Sequence, residues 1–415
     1  MLEKRILKQL ENLRGSAPMP LKVRLWQGSE VSLADEPSVT LLLRSPQAAR
    51  RLLKPSLDAL GEAYVERLID VDGAIGDIIS VADRLASTAS AGRRQGRIPS
   101  WLTRHTRRSD RKAIEYHYDV SNDFYQRFLD SRMVYSCAYF RTGNENLETA
   151  QLQKLDHVCR KLMLAPGQRL LDIGCGWGAM VIHAAQRYGV NAVGITLSRN
   201  QYDLARERVE RAGLSDRIEI RLQDYRDVPE VEGFERISSI GMFEHVGLRN
   251  LRAYFDQVAR LLKPGGVAMN HGITSSDADS REVGLGAGAF IDKYVFPDGE
   301  LPHVSLAIRE LSRAGLELAD AESLRQHYAM TLRAWSEAFE RRLLELVELA
   351  GEQRARVWRV YLAGCAHAFA HGWVNIYQLL AVRPLAGPNG QTSPLPWSRE
   401  YMYRDDWPPG RPSDD

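Results

Sequence analysis

Leu170-Leu171-Asp172-Ile173-Gly174-Cys175-Gly176-Trp177-Gly178 is the stretch of this 415-residue chain best suited to chemistry. A short apolar run closes on an acid and opens into three alternating glycines. Glycine lets backbone turn tightly and lets a ligand press against it, because there is no Cβ to clash. The pattern predicts a helix over Ala179 to Tyr188, capped by Gly189, with its positive N-terminal end toward the turn. Such a site recognises an adenosine group. Its Gly-x-Gly-x-Gly spacing departs from the Gly-x-Gly-x-x-Gly of dinucleotide enzymes. A loose glycine turn is the alternative.

The loop reads as the cofactor loop of an S-adenosylmethionine (SAM)-dependent methyltransferase, whose ligand carries no phosphate. Asp172, Gly174, Gly176 and Gly178 are its candidate contacts. The next expected strand ends Gly194-Ile195-Thr196-Leu197-Ser198, with no carboxylate to grip the ribose hydroxyls. Thr196, Ser198 and the following Gln201 would hold the sugar through hydroxyl and amide groups. Thr196 and Ser198 also suit the cap of a helix beginning at Arg199. Gln223-Asp224-Tyr225, after the third strand, offers adenine an amide, a carboxylate and a ring face.

These residues need a sheet to carry them. Apolar runs predict strands at Arg169–Ile173, Asn191–Thr196, Arg217–Leu222 and Arg236–Met242. Helices are expected between them at Ala179–Tyr188, Arg199–Ala212 and Leu251–Leu262, and Lys263-Pro264-Gly265-Gly266 then turns into a strand from Val267 to Ile273. Such alternation implies right-handed crossovers and a parallel sheet, with ligands at the carboxyl ends of the strands. The fold class is α/β: a Rossmann-like SAM-dependent methyltransferase fold, mostly parallel sheet with helices on both faces, plus a small N-terminal α/β module. Beyond Gly315 the expectation is helix, with apolar stripes through Leu332, Trp335, Phe339, Leu343 and Val347, and through Tyr361, Cys365 and Phe369.

In the N-terminal module, residues 1–90, strands are expected at Leu21–Trp26 and Val39–Arg44, and a helix start at Ser45-Pro46. Leu57–Ala86 has helical spacing broken near Gly73 and Gly76. Residues 91–112 form a basic linker in which Arg93, Arg94, Arg97, Arg104, Arg107, Arg108, Arg111 and Lys112 face one acid, Asp110. It suits either a solvated tether or a contact with anionic lipid headgroups, with Trp101 favouring the interface. Residues 113–395 form the catalytic domain with a helical cover, and residues 396–415 a tail.

Charge is balanced, 55 basic against 53 acidic residues, so there is no global case for nucleic acid. Cys137, Cys159, Cys175 and Cys365 are far apart without C-x-x-C pairing, so neither a disulfide framework nor a metal site is expected, and a reducing cytosol is the default. Met1 to Leu13 is a charged amphipathic helix candidate, unlike a signal peptide. No uninterrupted apolar run approaches the ~20 residues of a bilayer span. The expectation is a protein that is soluble or lies on a membrane surface.

Three further strings narrow the family. They are His117-Tyr118-Asp119-Val120-Ser121-Asn122-Asp123-Phe124-Tyr125, Met133-Val134-Tyr135-Ser136-Cys137-Ala138-Tyr139-Phe140, and Gly241-Met242-Phe243-Glu244-His245-Val246-Gly247. Phe290-Ile291-Asp292-Lys293-Tyr294-Val295-Phe296-Pro297 and Gly299-Glu300-Leu301-Pro302 continue the pattern. From about Ala113 to Leu380 the chain closely resembles cyclopropane-fatty-acyl-phospholipid synthases and mycolic acid cyclopropane synthases. Gly61-Glu62-Ala63-Tyr64 resembles the longer bacterial phospholipid synthases more weakly.

The resemblance implies transfer of a methylene from SAM to the cis double bond of an acyl chain, through a carbocation. A bound bicarbonate ion would act as base, held by Cys137, Glu244, His271, the backbone of Ile273, and Tyr328. Tyr135, Ser136 and Leu197 join the cofactor set. Glu244 lies just beyond the fourth expected strand and His271 near the end of the next, so both project toward the cofactor edge, and imidazole, phenol and carboxyl groups can bind an anion and pass on its proton. Glu244 beside an anion must be protonated or bridged through His271. Cys137 suits pocket lining better than attack. Cys365 matches a cysteine that some family members need, yet lies on an apolar helical stripe, which suits a structural or access-channel place. His245, Trp177 and Tyr294 are pocket-wall candidates. Phe290, Tyr294, Tyr135 and Tyr139 could shelter the cation from water and stabilise it through their ring faces.

The alternatives are a fatty-acid C-methyltransferase giving methyl-branched or methylene chains, a small-molecule N-methyltransferase, and a non-catalytic lipid-binding protein. The expected partner is a phospholipid bilayer with unsaturated acyl chains and anionic headgroups, met from the cytoplasmic side at the inner leaflet. A homodimer is expected, because two modules on one bilayer multiply weak contacts.

Overall fold

Continuous burial along the central strands shows how this sequence places helices on both faces of its largest sheet. The computed structural model describes residues 2–52, 55–90, 121–229, 233–280, 288–296, 299–387 and 390–404. They divide into two compact units: one within residues 1–100, 282–297 and 332–373, the other within 101–281, 298–331 and 374–415.

The second unit holds a seven-stranded sheet. Its strands are β5 (Arg169–Ile173), β6 (Asn191–Thr196), β7 (Ile218–Leu222), β8 (Phe234–Ile240), β9 (Leu262–Ser275), β10 (Glu317–Ser323) and β11 (Val374–Val382). They lie in the order β10-β11-β9-β8-β5-β6-β7. The β5–β9 neighbours pair in parallel, and β11 runs antiparallel to both β9 and β10. The mostly parallel sheet with helices around it is the fold expected from sequence. Leu170, Ala192, Val267, Met269, Leu380 and Val382 pack on one face, against helices Leu147–Lys161, Ala179–Tyr188 and Arg199–Arg211. Leu171, Val193, Ala268, Leu379 and Ala381 pack on the other, against Leu251–Leu261 and Val304–Arg313. Neighbouring residues point to opposite faces, so a strand buried on both sides reads as a continuous apolar run.

β10 and β11 correct the expectation of helix beyond Gly315. β10 reads Glu-Leu-Ala-Asp-Ala-Glu-Ser, and its acids signal an exposed segment. In the fold two of them, Asp320 and Glu322, meet buried or surface cations, so the strand is paid for by ion pairs rather than by apolar alternation. In the tail region Tyr401 and Met402 are buried in the sheet's core, while residues 405–415 lie outside the described residues.

The first unit contains β1 (Leu21–Arg24), β2 (Glu30–Ser32), β3 (Val39–Leu43) and β4 (Ile69–Asp72), in the order β2-β1-β3-β4. Pro46–Leu52 is helical, with Ser45 Oγ accepting the N–H of Ala48 as the expected cap. β4 corrects the helical reading of Leu57–Ala86: helices Leu57–Val65 and Ile75–Ser90 flank a strand that pairs antiparallel with β3. Gly73 closes that strand at φ 131, where a Cβ would meet Ser38 O at 2.6 Å.

The first unit also takes helix Glu352–Ala370, which was read from sequence as part of a cover on the catalytic domain. Arg356 makes an ion pair with Asp70 at 2.7 Å and sits over the Tyr64 ring, while Arg359 donates to the Tyr64 hydroxyl. His367 bonds Asp83 at 3.0 Å. These contacts join segments almost 300 residues apart in sequence, which local periodicity does not encode. The basic linker, with Trp101 and His117–Val120, lies outside the described residues.

Candidate active site

At the carboxyl ends of β5, β6 and β8 the second unit opens a cavity of about 140 Å³. Gly174, Gly176 and Gly178 all take positive φ (81, 55 and 84), which excludes side chains there at little cost only for glycine. Asp172, Gly174 and Gly176 line the cavity from β5, and Thr196, Leu197 and Gln201 line it from the end of β6. Gln223, Asp224 and Tyr225 complete the far side, and Tyr135 and Ser136 the near side. Gly178 and Ser198 do not line it. Gly178 starts the Ala179–Tyr188 helix and lets it approach Ala205, whose Cβ would lie 3.4 Å from a Cβ at that position. Ser198 caps the next helix by accepting the N–H of Gln201.

No carboxylate ends β6. The Thr196 hydroxyl donates to Gln201 Oε1 at 2.8 Å, so a hydroxyl–amide pair stands where a ribose acid would be. Asp224 is held by Arg226 through two bonds of 2.8 and 2.6 Å, and Gln223 Nε2 donates to the carbonyl of Asp227. Beneath the glycine loop Asp172 accepts from Ser238 Oγ at 2.7 Å, and burial raises its carboxyl to about 6. Trp177 and His245 form part of the wall, as read from sequence. Asn122 braces the loop: its Oδ1 accepts the Trp177 indole N–H at 2.8 Å.

Lys154 was not read from sequence. It lies in a helix, Leu147–Lys161, whose charges suggest a solvated face, yet Lys154, Asp156, His157, Arg160 and Lys161 are all buried. Lys154 Nζ donates to Ser136 Oγ at 2.9 Å in the cavity wall, and burial lowers its ammonium to about 8. Lys161 and His157 both reach Glu322, at 2.6 and 2.9 Å. Despite burial, which opposes it, those partners hold Glu322 down at about 2. Partners from distant segments, Ser136 for Lys154, Tyr188 for Asp156 and Glu322 of β10 for His157 and Lys161, show that this helix is polar inside.

The residues of the second cluster meet around the end of β9. Ile240, the last residue of β8, pairs with His271, and Gly241 N–H donates to the His271 carbonyl. The chain then turns so that Glu244 Oε1 accepts the Ile273 N–H at 2.6 Å. That backbone donor is therefore engaged by Glu244. Gly272 makes the seat possible, because a Cβ there would lie 2.0 Å from the Phe243 ring. Glu300, from the Gly299–Pro302 string, holds the following turn by accepting the Leu248 N–H.

Ile376 faces Ile273 across the β9–β11 ladder, and its carbonyl accepts the N–H of Leu324, just before the helix that carries Tyr328. Cys137 Sγ lies 3.8 Å from the Leu324 carbonyl, and Thr331 Oγ1 and His327 Nδ1 accept the N–H groups of Ala138 and Phe140. Cys137, Glu244, His271, Ile273 and Tyr328 thus attach to one corner of the sheet. Burial keeps the Cys137 thiol far above its ordinary range, so it stays a thiol and is not a nucleophile. Burial raises Glu244 to about 7, against the Ile273 hydrogen bond, and lowers His271 well below its ordinary value. Neither Glu244 Oε2 nor His271 Nε2 has a hydrogen-bond partner among the described residues. Buried polar atoms are normally paired, so both stand out from the rest of the interior. Cys365 lies in the first unit, on helix Glu352–Ala370, with its thiol pushed up to about 12 by burial. Phe290 and Tyr294 also belong to the first unit.

A family model described as mycolic acid cyclopropane synthetase matches residues 105–379, and one described as a domain of unknown function matches residues 7–92. The chain is 47% identical over 399 residues to a probable fatty acid methyltransferase of Pseudomonas putida, covering 96% of this chain and 100% of that protein. It is 42% identical over 267 residues to the cyclopropane-fatty-acyl-phospholipid synthase of Escherichia coli, covering 64% and 66% of the two chains. The crystal structure of mycolic acid cyclopropane synthase CmaA1 complexed with SAH and CTAB matches at a TM-score of 0.62 and 35% identity. That match spans 66% of this chain and 98% of that one.

Proposed function

The chain belongs to the mycolic acid cyclopropane synthetase family and is a SAM-dependent methyltransferase, and from that premise we propose that it converts cis double bonds of unsaturated phospholipid acyl chains into cyclopropane rings. The observation that carries this reading is the pair of buried, unpartnered atoms, Glu244 Oε2 and His271 Nε2, beside the cofactor cavity. An alkene is a poor nucleophile, so the enzyme must supply position: the cavity holds the methyl donor, and the acyl chain has to present its π face to it. Methyl transfer leaves a carbocation on the acyl chain, and loss of a proton from the added methyl closes the ring, a net gain of one CH2.

An ordinary side-chain base next to a sulfonium risks methylation itself. Bicarbonate held by Glu244, His271, Tyr328 and the neighbourhood of Cys137 would supply the base instead. Glu244 fits this because burial leaves it partly protonated near neutrality and able to donate to an anion. Burial disfavours an imidazolium at His271, so the neutral ring is not the proton's final holder.

Purified protein incubated with SAM, bicarbonate and vesicles of unsaturated phospholipid should yield acyl chains heavier by one CH2, with ring protons by NMR. No mass gain across several lipids would sink the reading. A second reading, methyl transfer without ring closure, is favoured by the name of the Pseudomonas putida relative. Methyl-branch or open-chain methylene signals would select it.

The lipid substrate requires access to a bilayer. Among the described residues no helix is long and apolar enough to cross a membrane. The proposed route is peripheral docking on the inner leaflet through the N-terminal module and the basic linker, as a homodimer.

A further inference from the structure

Gln378 is fully buried in β11, and a buried amide is kept only where it finds partners. It lies directly opposite His271 on β9 and, on its other side, opposite Glu322 on β10. Directly opposed residues share a face, so the three form a row beneath the Leu147–Lys161 helix. Gln378 Nε2 lies 3.3 Å from His271 Nδ1. An amide nitrogen only donates, so Nδ1 is the acceptor and the imidazole proton sits on Nε2.

We infer that Gln378 is a positioning residue: it fixes His271 in the Nε2–H tautomer, making the imidazole a neutral one-proton donor to an anion and not the base. The tautomer follows from the contact of Gln378 Nε2 with His271 Nδ1 across the β9–β11 ladder, and its use as an anion donor rests on the function proposed above. The surroundings act in the same direction. Lys154 and Lys161 project from the covering helix, and their charges add to burial in disfavouring an imidazolium. Glu322 and His157 are tied to each other, with Lys161 on the same carboxylate. The amide is seated with Nε2 on the imidazole Nδ1, and Gln378 Oε1 is its unpartnered atom.

Long-range proton–nitrogen NMR of the full-length protein carrying isotope-labelled histidine reads the tautomer directly, with His271→Asn identifying the signal. The expected wild-type pattern is Nε2–H. Gln378→Glu, whose carboxylate accepts a hydrogen bond from an Nδ1–H, should switch His271 to the Nδ1–H form, and Gln378→Met should give a mixture. With folding checked by circular dichroism, both variants should lose turnover roughly 10–100-fold while SAM affinity stays within about twofold, since Gln378 does not line the cofactor cavity. A wild-type Nδ1–H pattern, or no change in Gln378→Met, overturns the inference. The NMR arms need no turnover, so they decide the tautomer even if the product is not a ring.

Discussion

The ring of Phe243 occupies the space that a side chain at residue 272 would need: a Cβ on Gly272 would lie 2.0 Å from Phe243 Cε1 and 3.3 Å from Glu244 Oε1. This contact between strand and loop decides where Glu244 sits. Gly272→Ala should therefore act as an overpacking change, costing about 1–3 kcal/mol, and should dislodge Glu244 from the Ile273 N–H. The expected result is a lowered unfolding midpoint and lost product formation, with SAM affinity retained. An alanine variant of full stability and activity would show that Phe243 yields freely.

Glu244 should make stability depend on pH. Burial raises its carboxyl from the ordinary 4.5 to about 7. The fold favours the neutral acid, so this contribution is complete below about pH 4.5 and is lost as pH rises through about 7. Over that window the wild type should lose up to roughly 3 kcal/mol relative to Glu244→Gln. Urea unfolding of both proteins at about pH 5 and about pH 8 measures it, and parallel changes in the two would refute the assignment. The glutamine variant should also lose turnover by roughly 100-fold or more.

Lys154 is a buried cation in the cavity wall whose ammonium titrates near 8. SAM carries one carboxylate, and a buried ammonium in that wall is suited to hold it. Lys154→Met should weaken SAM binding about tenfold, equivalent to ~1.4 kcal/mol. Wild-type affinity should fall between about pH 7 and about pH 9, and the methionine variant should not follow. Calorimetry that finds the wild-type affinity flat with pH would rule this out.

Asn122 comes from a string recognised in the sequence but given no task there. Its bond to the Trp177 indole at 2.8 Å ties that segment to the glycine loop. Removing one partner should cost about 1 kcal/mol, so Asn122→Ala should loosen SAM binding several-fold while leaving the pH dependence of the remaining turnover unchanged. Tryptophan fluorescence titrated with SAM reports it, and unaltered affinity would make the bond a purely structural one.

Charge reversal at Arg104, Arg107 and Arg108 together should reduce sedimentation with anionic vesicles, by an effect that fades as salt rises. Binding that ignores both salt and charge would count against docking through the linker.

The glycine loop, the strand and helix that flank it, and the missing ribose acid were legible in the chain itself. Each is local: a glycine is needed where φ is positive, as at Gly174 and Gly178, and a buried parallel strand is an apolar run wherever it lies. The tertiary structure alone decided the rest. β10 is acidic because its partners Lys161 and Arg399 arrive from distant segments, so its pattern did not read as a strand. Lys154 looks like a solvated helix charge until Ser136 and the cavity are placed against it. Gln378 has meaning only in register with His271, more than one hundred residues away. Residue types named the cofactor loop, while the pairing of β9 with β11 and the seat at Gly272 set which atoms of the second cluster are left without a partner.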